Sequence, residues 1–325
     1  MNRILIALAA AGLLTVPAFA ATSNVDVYGT LNITIQDTDV AGTDLSVIDN
    51  TSKIGFKGSE DLGGGLKAIW QIESGLASGG VASANVVGNA ATLATRNTFV
   101  GLAGGFGTVL MGRHDTPYKL GTGSLDIFAD SIGDYNQGRL DGVSLINNAH
   151  DHRNGQALAY ISPTLSGFHA AAAVVLNNGE AGSALSNGTT IDATSLTGVY
   201  SNGPWFGSLS LQNAKSLNNK GTKLGLGYTM GTGKVGFVWE RTDSNVAGAD
   251  TRAWLLNGVY TRGPIAMKVQ YGKNDAGAAA NQDAWMLGAD YNLSKRTTAY
   301  VVYGIGDNGV GSDVSGWNLG MKHNF

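Results

Sequence analysis

Ser315-Gly-Trp-Asn-Leu-Gly-Met-Lys-His-Asn-Phe325, the last eleven residues, is the stretch whose reading decides the fold. Successive side chains of a strand point to opposite sides. Trp317, Leu319, Met321, His323 and Phe325 therefore share one face, and Asn318, Gly320, Lys322 and Asn324 the other. The two faces meet different solvents, and the run closes on a terminal aromatic. The same alternation recurs along most of the chain, yet beyond the N-terminus no apolar run is long enough for a spanning helix. A transmembrane β-barrel reconciles the two facts.

Working outward, period-two segments are read at 24–36, 51–60, 65–74, 95–103, 106–113, 154–162, 167–176, 193–201, 205–213, 221–230, 234–242, 251–261, 264–273, 282–293, 296–304 and 314–325. They number sixteen, an even count as bacterial single-chain barrels require, and the expected fold is all-β, a sixteen-stranded antiparallel barrel. Residues 21–325 allow about nineteen residues per strand and connection, room for a tilted strand of about ten. Ile265, Met267, Val269 and Tyr271 oppose Lys268 and Gln270. Trp285, Leu287, Ala289, Tyr291 and Leu293 oppose Asp290 and Asn292, and Lys223 opposes Leu224, Leu226, Tyr228 and Met230. A soluble sandwich turns its apolar face inward, whereas these strands enclose Lys, Gln, Asp and Asn, which makes a wet interior. Aromatics near strand ends (Tyr28, Trp70, Trp205, Phe206, Tyr228, Trp254, Tyr260, Tyr271, Tyr291, Phe325) are expected to form girdles at the two membrane interfaces.

Composition agrees. The 48 glycines serve tight turns and crowded inward positions, and only 5 prolines fit a sheet without a free edge. A mean hydropathy of +0.01 is too polar for a helical membrane protein. Residues 1–20, with Arg3, an apolar run from Ile4 to Val16, Pro17 and Ala18-Phe19-Ala20, read as a secretory signal peptide, leaving 21–325 as one domain. Without Arg3 the chain keeps 20 basic and 24 acidic residues, a balance that points to no nucleic-acid partner. Absence of cysteine suits passage through an oxidising periplasm.

Gly104-Gly105, Asn202-Gly203-Pro204, Gly231-Thr232-Gly233 and Arg262-Gly263 are read as tight turns, while other links are long. The longest runs from Arg113 to Arg153, some forty residues with little strand pattern, which implies a task. Folding inward to narrow a pore suits its polarity. His150-Asp151-His152 lacks further ligand spacing, so no metal is called for. Gly231-Thr-Gly-Lys-Val-Gly236 matches a dinucleotide string but sits between two strands, and Glu60-Asp61 before Gly63-Gly64-Gly65 reads as a turn. No Ser, His and Asp lie in a nucleophile-elbow context; neither an enzyme nor a cofactor is indicated.

Lys53-Ile-Gly-Phe-Lys-Gly-Ser-Glu-Asp-Leu-Gly-Gly-Gly-Leu-Lys-Ala-Ile-Trp70, Arg96-Asn-Thr-Phe-Val-Gly-Leu102, Phe106-Gly-Thr-Val-Leu-Met-Gly-Arg113, Tyr160-Ile-Ser-Pro163 and Gly320-Met-Lys-His-Asn-Phe325 together resemble the general-diffusion porins of Gram-negative bacteria, nearest to the neisserial and comamonad-type group. The resemblance implies an outer-membrane homotrimer whose third extracellular loop, here 114–152, folds into the lumen as a constriction. It carries the basic wall role to Lys53, Arg96 and Arg153, with Lys57, Lys67 and Arg113 as adjacent candidates, and the acidic loop role to Asp115, Asp126, Asp130, Asp134 and Asp141. It implies Phe325 as the signal read by the barrel assembly machinery, and contact with outer-membrane lipid and lipopolysaccharide. The relatives' Asn-Ser pair before Tyr160 appears here as Gln156-Ala157. Opposed charges across a narrow wet throat orient water and polar solutes, so the expected function is passive diffusion of ions and small hydrophilic solutes. A substrate-selective channel, or an adhesive surface barrel, is the alternative class.

Overall fold

The computed structural model describes residues 24–39, 45–76, 93–146, 150–176, 190–215, 218–245, 249–275, 281–309 and 313–325; the expected signal peptide lies outside them. The described strands are β1 (Asn24–Thr38), β2 (Ser46–Asp49), β3 (Lys53–Gly63), β4 (Leu66–Gly75), β5 (Thr98–Gly104), β6 (Gly107–Asp115), β7 (Arg153–Ile161), β8 (Phe168–Leu176), β9 (Ile191–Asn202), β10 (Trp205–Ala214), β11 (Asn219–Met230), β12 (Gly233–Ser244), β13 (Thr251–Arg262), β14 (Ile265–Asp275), β15 (Gln282–Asn292), β16 (Thr297–Asp307) and β17 (Asp313–Asn324). Apart from β2 and β3, which both pair with β1, each pairs antiparallel with its neighbours in sequence, and β17 returns to β1 with Asn324 opposite Thr30 and Gly316 opposite Thr38. The sheet is closed. β2 pairs with the second half of β1 and β3 with the first half, so they are two pieces of one barrel strand and the barrel has sixteen. The interruption holds Thr51 at φ 69°, a left-handed conformation unusual for a non-glycine. The sixteen expected segments coincide with these strands; only the short piece Ser46–Asp49 was not anticipated.

Burial runs opposite to that of a soluble protein. In β17, Leu319 is 52% exposed while its neighbour Asn318 is 0%. Leu287, Leu256, Val269 and Val301 point outward and are exposed, whereas Gln270, Asn257, Lys223 and Glu240 are buried within. Backbone pairing satisfies the polar groups of the spanning segments and the outward apolar face meets lipid. Trp254, Tyr271 and Trp285 stack across β13 to β15 at centroid separations of 5.6 and 4.6 Å, and Trp205 meets Tyr228 at 4.5 Å. Two of the expected girdle aromatics do otherwise. Phe206 packs on the internal cluster beside Leu125, and Tyr28 donates its hydroxyl to Glu73, because both fall in the polar register of their strands.

The link between β6 and β7 opens with a short helix α1 (Pro117–Leu120), whose Thr116 Oγ1 accepts the Lys119 N–H. Its contacts reach strands all around the ring. Asn257 Nδ2 of β13 donates to Leu125 O at 2.6 Å, Gln270 Nε2 of β14 to Gly133 O at 3.2 Å, and Asn32 Nδ2 of β1 to Asp130 O at 2.9 Å. Leu125, Phe128, Ile132, Leu140, Leu145 and Ile146 form one apolar cluster with Val238, Leu255, Met286 and Val302 of the strands. Glycines make the room. A Cβ at Gly225 would stand 2.9 Å from Leu125, at Gly288 2.6 Å from Phe128, at Gly304 3.0 Å from Leu140 and at Gly316 3.0 Å from Ile132. At distances this short a side chain would have to displace its neighbour, which accounts for part of the high glycine content.

Candidate functional site

Charge collects where this link faces the strands of the first half of the chain. Arg96, 8% exposed, stands two residues before β5 and places Nε 2.7 Å from Glu73 Oε1. Asp115 ends β6 and binds Lys119 Nζ at 3.0 Å and Arg153 Nη2 at 3.1 Å. Asn97 joins the same network: its Nδ2 donates to Asp115 Oδ2 at 3.0 Å, and its Oδ1 accepts from Arg153 Nε at 2.8 Å. Arg96, Asp115, Lys119, Asp126, Asp130, Asp134 and Arg153 line one cavity of about 210 Å³. Asp130, at φ 59°, turns its N–H to Asp134 Oδ2 at 3.0 Å and approaches Lys322 at 3.9 Å.

The link's carboxyls differ in character. Burial pushes Asp134 up to about 6, opposed by the N–H groups of Asp130 and Asn136 that it accepts. Burial and the neighbouring Asp134 raise Asp126 well above the ordinary carboxylate range. Both therefore take up a proton more readily than the ion-paired Asp115, though Asp134, at about 6, still carries its charge at neutral pH.

Of the residues singled out in the sequence, Arg96, Arg153, Asp115, Asp126, Asp130 and Asp134 meet around this cavity. Lys53 begins β3 near Glu73, Arg96, Asp130 and Lys322. Lys57 lies further along β3, exposed, with Nζ 5.2 Å from the Tyr28 ring centre. Lys67 sits opposite Asp61 beside the Gly63–Gly65 turn, at the barrel end away from the long link. Arg113 stands opposite Thr98 where β6 is bulged, and Asp141 accepts from Asn308 Nδ2 at 2.9 Å near the end of β16. Lys119, Glu73 and Lys322 complete the charge network beyond the residues singled out for it. Lys119 was legible, being four residues past Asp115 on a proline-led turn.

A closed barrel, apolar outside and polar within, is a membrane channel. A family model described as Gram-negative porin matches residues 7–323, and the chain belongs to that family. Over 333 residues it is 28% identical to the major outer membrane protein P.IB of Neisseria meningitidis serogroup B, covering 93% of this chain and 92% of that protein. Against P.IB of Neisseria gonorrhoeae identity is 34% over 178 residues, a match spanning 52% of this chain and 46% of the relative. The anion-selective porin from Comamonas acidovorans superposes with a TM-score of 0.76 at 25% identity, over 93% of this chain and 100% of that one. OmpF of Salmonella typhi, in a complex with daunomycin, gives 0.72 at 16%, a likeness of fold alone, over 94% and 99%. The protein resides in the outer membrane and forms a channel for passive diffusion of ions and small hydrophilic solutes.

Proposed function

We propose that residues 114–152 are the constriction loop of this channel, that the wall cations Arg96, Arg153 and Lys53 face the acids of that loop, and that the throat prefers anions. The observation that carries the reading is the unequal neutralisation of charge around the cavity. Glu73, Asp115 and Asp130 each have a cation within 4 Å. Burial and the neighbouring Asp134 hold Asp126 toward its neutral form. Lys53 forms no ion pair among the described residues, and Arg139 spends its donors on the neutral Asn50 and Thr51 at 3.0 Å each. The surplus is positive. A positive field in a narrow wet passage concentrates anions and repels cations. The Comamonas porin, described as anion-selective, fits the same sign.

The apolar outward faces of β1 to β5 and β17 would join three copies into a trimer, each with its own pore. Phe325 would serve the assembly machinery at the short-turn end, and the outward surface would meet lipid and lipopolysaccharide. Recording in a planar bilayer under a salt gradient tests the reading: conductance steps in threes and a reversal potential of anionic sign are expected. Cationic sign would overturn the charge assignment, and silence the channel itself.

A further inference from the structure

One wall cation takes no part in the throat. Lys223 of β11 is 0% exposed, with Nζ 2.6 Å from Asp151 Oδ1, 3.0 Å from Glu240 Oε2 of β12 and 4.5 Å from the centre of the Tyr118 ring. Tyr118 lies just after the 114–152 segment leaves β6 and Asp151 just before it enters β7, so one ammonium joins both roots of the segment to the wall. The surroundings are shaped for them. Asp151 Oδ2 accepts from Asn136 Nδ2 at 2.7 Å, Tyr118 N donates to Ser195 Oγ at 2.9 Å, and Gln212 Nε2 donates to His150 O at 2.9 Å. A Cβ at Gly221, one inward position from Lys223, would stand 2.7 Å from His150 and 2.8 Å from the Tyr118 hydroxyl.

Resting on the reading of 114–152 as the constriction loop, we propose that Lys223 is its positioning residue, fastening both roots by charge and so fixing the aperture. An enclosed ammonium is costly without partners, and enclosed carboxylates are equally costly without it. Lys223, Asp151 and Glu240 therefore stand or fall together. Asp151 is the one member free to leave the wall, because it is carried by the loop and the other two by strands. When Lys223 loses its charge, two buried carboxylates face each other, and the strain is relieved by moving the root of the loop. Removing all three charges at once leaves no like charges to repel, and the Asn136 amide beside Asp151 remains a partner for a neutral side chain there.

Unitary conductance of Lys223→Met, Asp151→Asn, and the triple variant Lys223→Met with Asp151→Asn and Glu240→Gln separates this role from plain packing. Each is first checked for a heat-modifiable barrel on a denaturing gel. Lys223→Met should lose the single steady conductance level of the wild type, Asp151→Asn should shift it, and the triple variant should regain it. A folded Lys223→Met channel with the wild-type level overturns the proposal, and so does a triple variant as disturbed as the single. If Lys223→Met yields no barrel, Asp151→Asn decides: an unchanged level overturns the proposal and a shifted one upholds it. A silent wild type would instead refute the channel reading.

Discussion

Phe128→Ala removes the largest apolar side chain by which the long link rests on the wall. Phe128 is 2% exposed, and its Cε1 would stand 2.6 Å from a Cβ at Gly288, while Lys268 Nζ, itself paired with Asp290 at 2.6 Å, lies 5.7 Å from the ring centre. A buried Phe removes roughly 150–250 Å² from water, worth about 4–6 kcal/mol at ~25 cal/mol per Å². Truncation to Ala, which leaves a cavity beside Gly288, costs about 3–5 kcal/mol in measured cores. The barrel does not depend on this contact, because its strands are held by ladder hydrogen bonds. The loss therefore falls on docking of the link, a weakening of roughly two to three and a half powers of ten at about 1.4 kcal/mol per tenfold. The assay is single-channel recording on material that still shows heat-modifiable mobility. Larger open-channel noise and an altered unitary conductance are expected. A folded channel with wild-type conductance and noise would refute the reasoning that this ring seats the link.

Three further outcomes follow from the same geometry. Arg96→Glu replaces a wall cation that lies 2.7 Å from Glu73, and the reversal potential under a salt gradient should move toward cation preference; an unmoved potential removes Arg96 from the throat. Asp134 titrates at about 6, so lowering the pH from about 7 to about 5 protonates it and should strengthen anion preference, and Asp134→Asn should flatten that dependence. The sign for stability is the same: a carboxyl raised above its unfolded 3.8 contributes most below that value, and the contribution is lost as pH rises through about 6. Phe325→Asp should lower the yield of inserted barrel while secretion continues, and a normal yield of heat-modifiable protein would free Phe325 of its assembly role.

Strand count and facing were legible because a period of two is imposed on every residue of a wall that separates lipid from water. Asn318 and Leu319, or Gln270 and Val269, declare their sides by chemistry alone. The break that divides β2 from β3 was hidden, since nothing in Asn50-Thr51-Ser52 announces a left-handed Thr; it is held by contacts far along the chain, including Arg139 Nη2 to Thr51 Oγ1 at 3.0 Å. The site was legible in part. Asp115 and Arg153 stand at the two ends of the long link, whereas Arg96 precedes β5 and is brought to them only by strand pairing. Asp141 and Asp134 look alike in a string, yet one turns to Asn308 and the other into the cavity, a difference set by tertiary contacts. Glycine abundance spoke for crowding inside the barrel, but which side chains fill each gap emerges only in three dimensions. Lys223 read simply as a polar position among Leu224 and Leu226, because its partners come from β12 and from a link some seventy residues earlier.

The central claim, that the described part of the 114–152 link lies against the inner wall and narrows the pore, is open to a direct covalent test. A Cβ at Gly272 would stand 3.3 Å from Leu145 Cβ, close to the ~3.8 Å of a disulfide, and 2.9 Å from Leu255 Cβ and Trp254 O, so a side chain there presses on β13 and Gly272→Ala, checked for a heat-modifiable barrel, is the control. The chain has no cysteine, so Leu145→Cys with Gly272→Cys supplies the only two thiols. Oxidation in the outer membrane should join them within one chain, seen as a mobility change reversed by reductant, in a barrel that still conducts. A heat-modifiable barrel whose two thiols stay free to react with an alkylating reagent after oxidation would place the loop elsewhere and contradict the account.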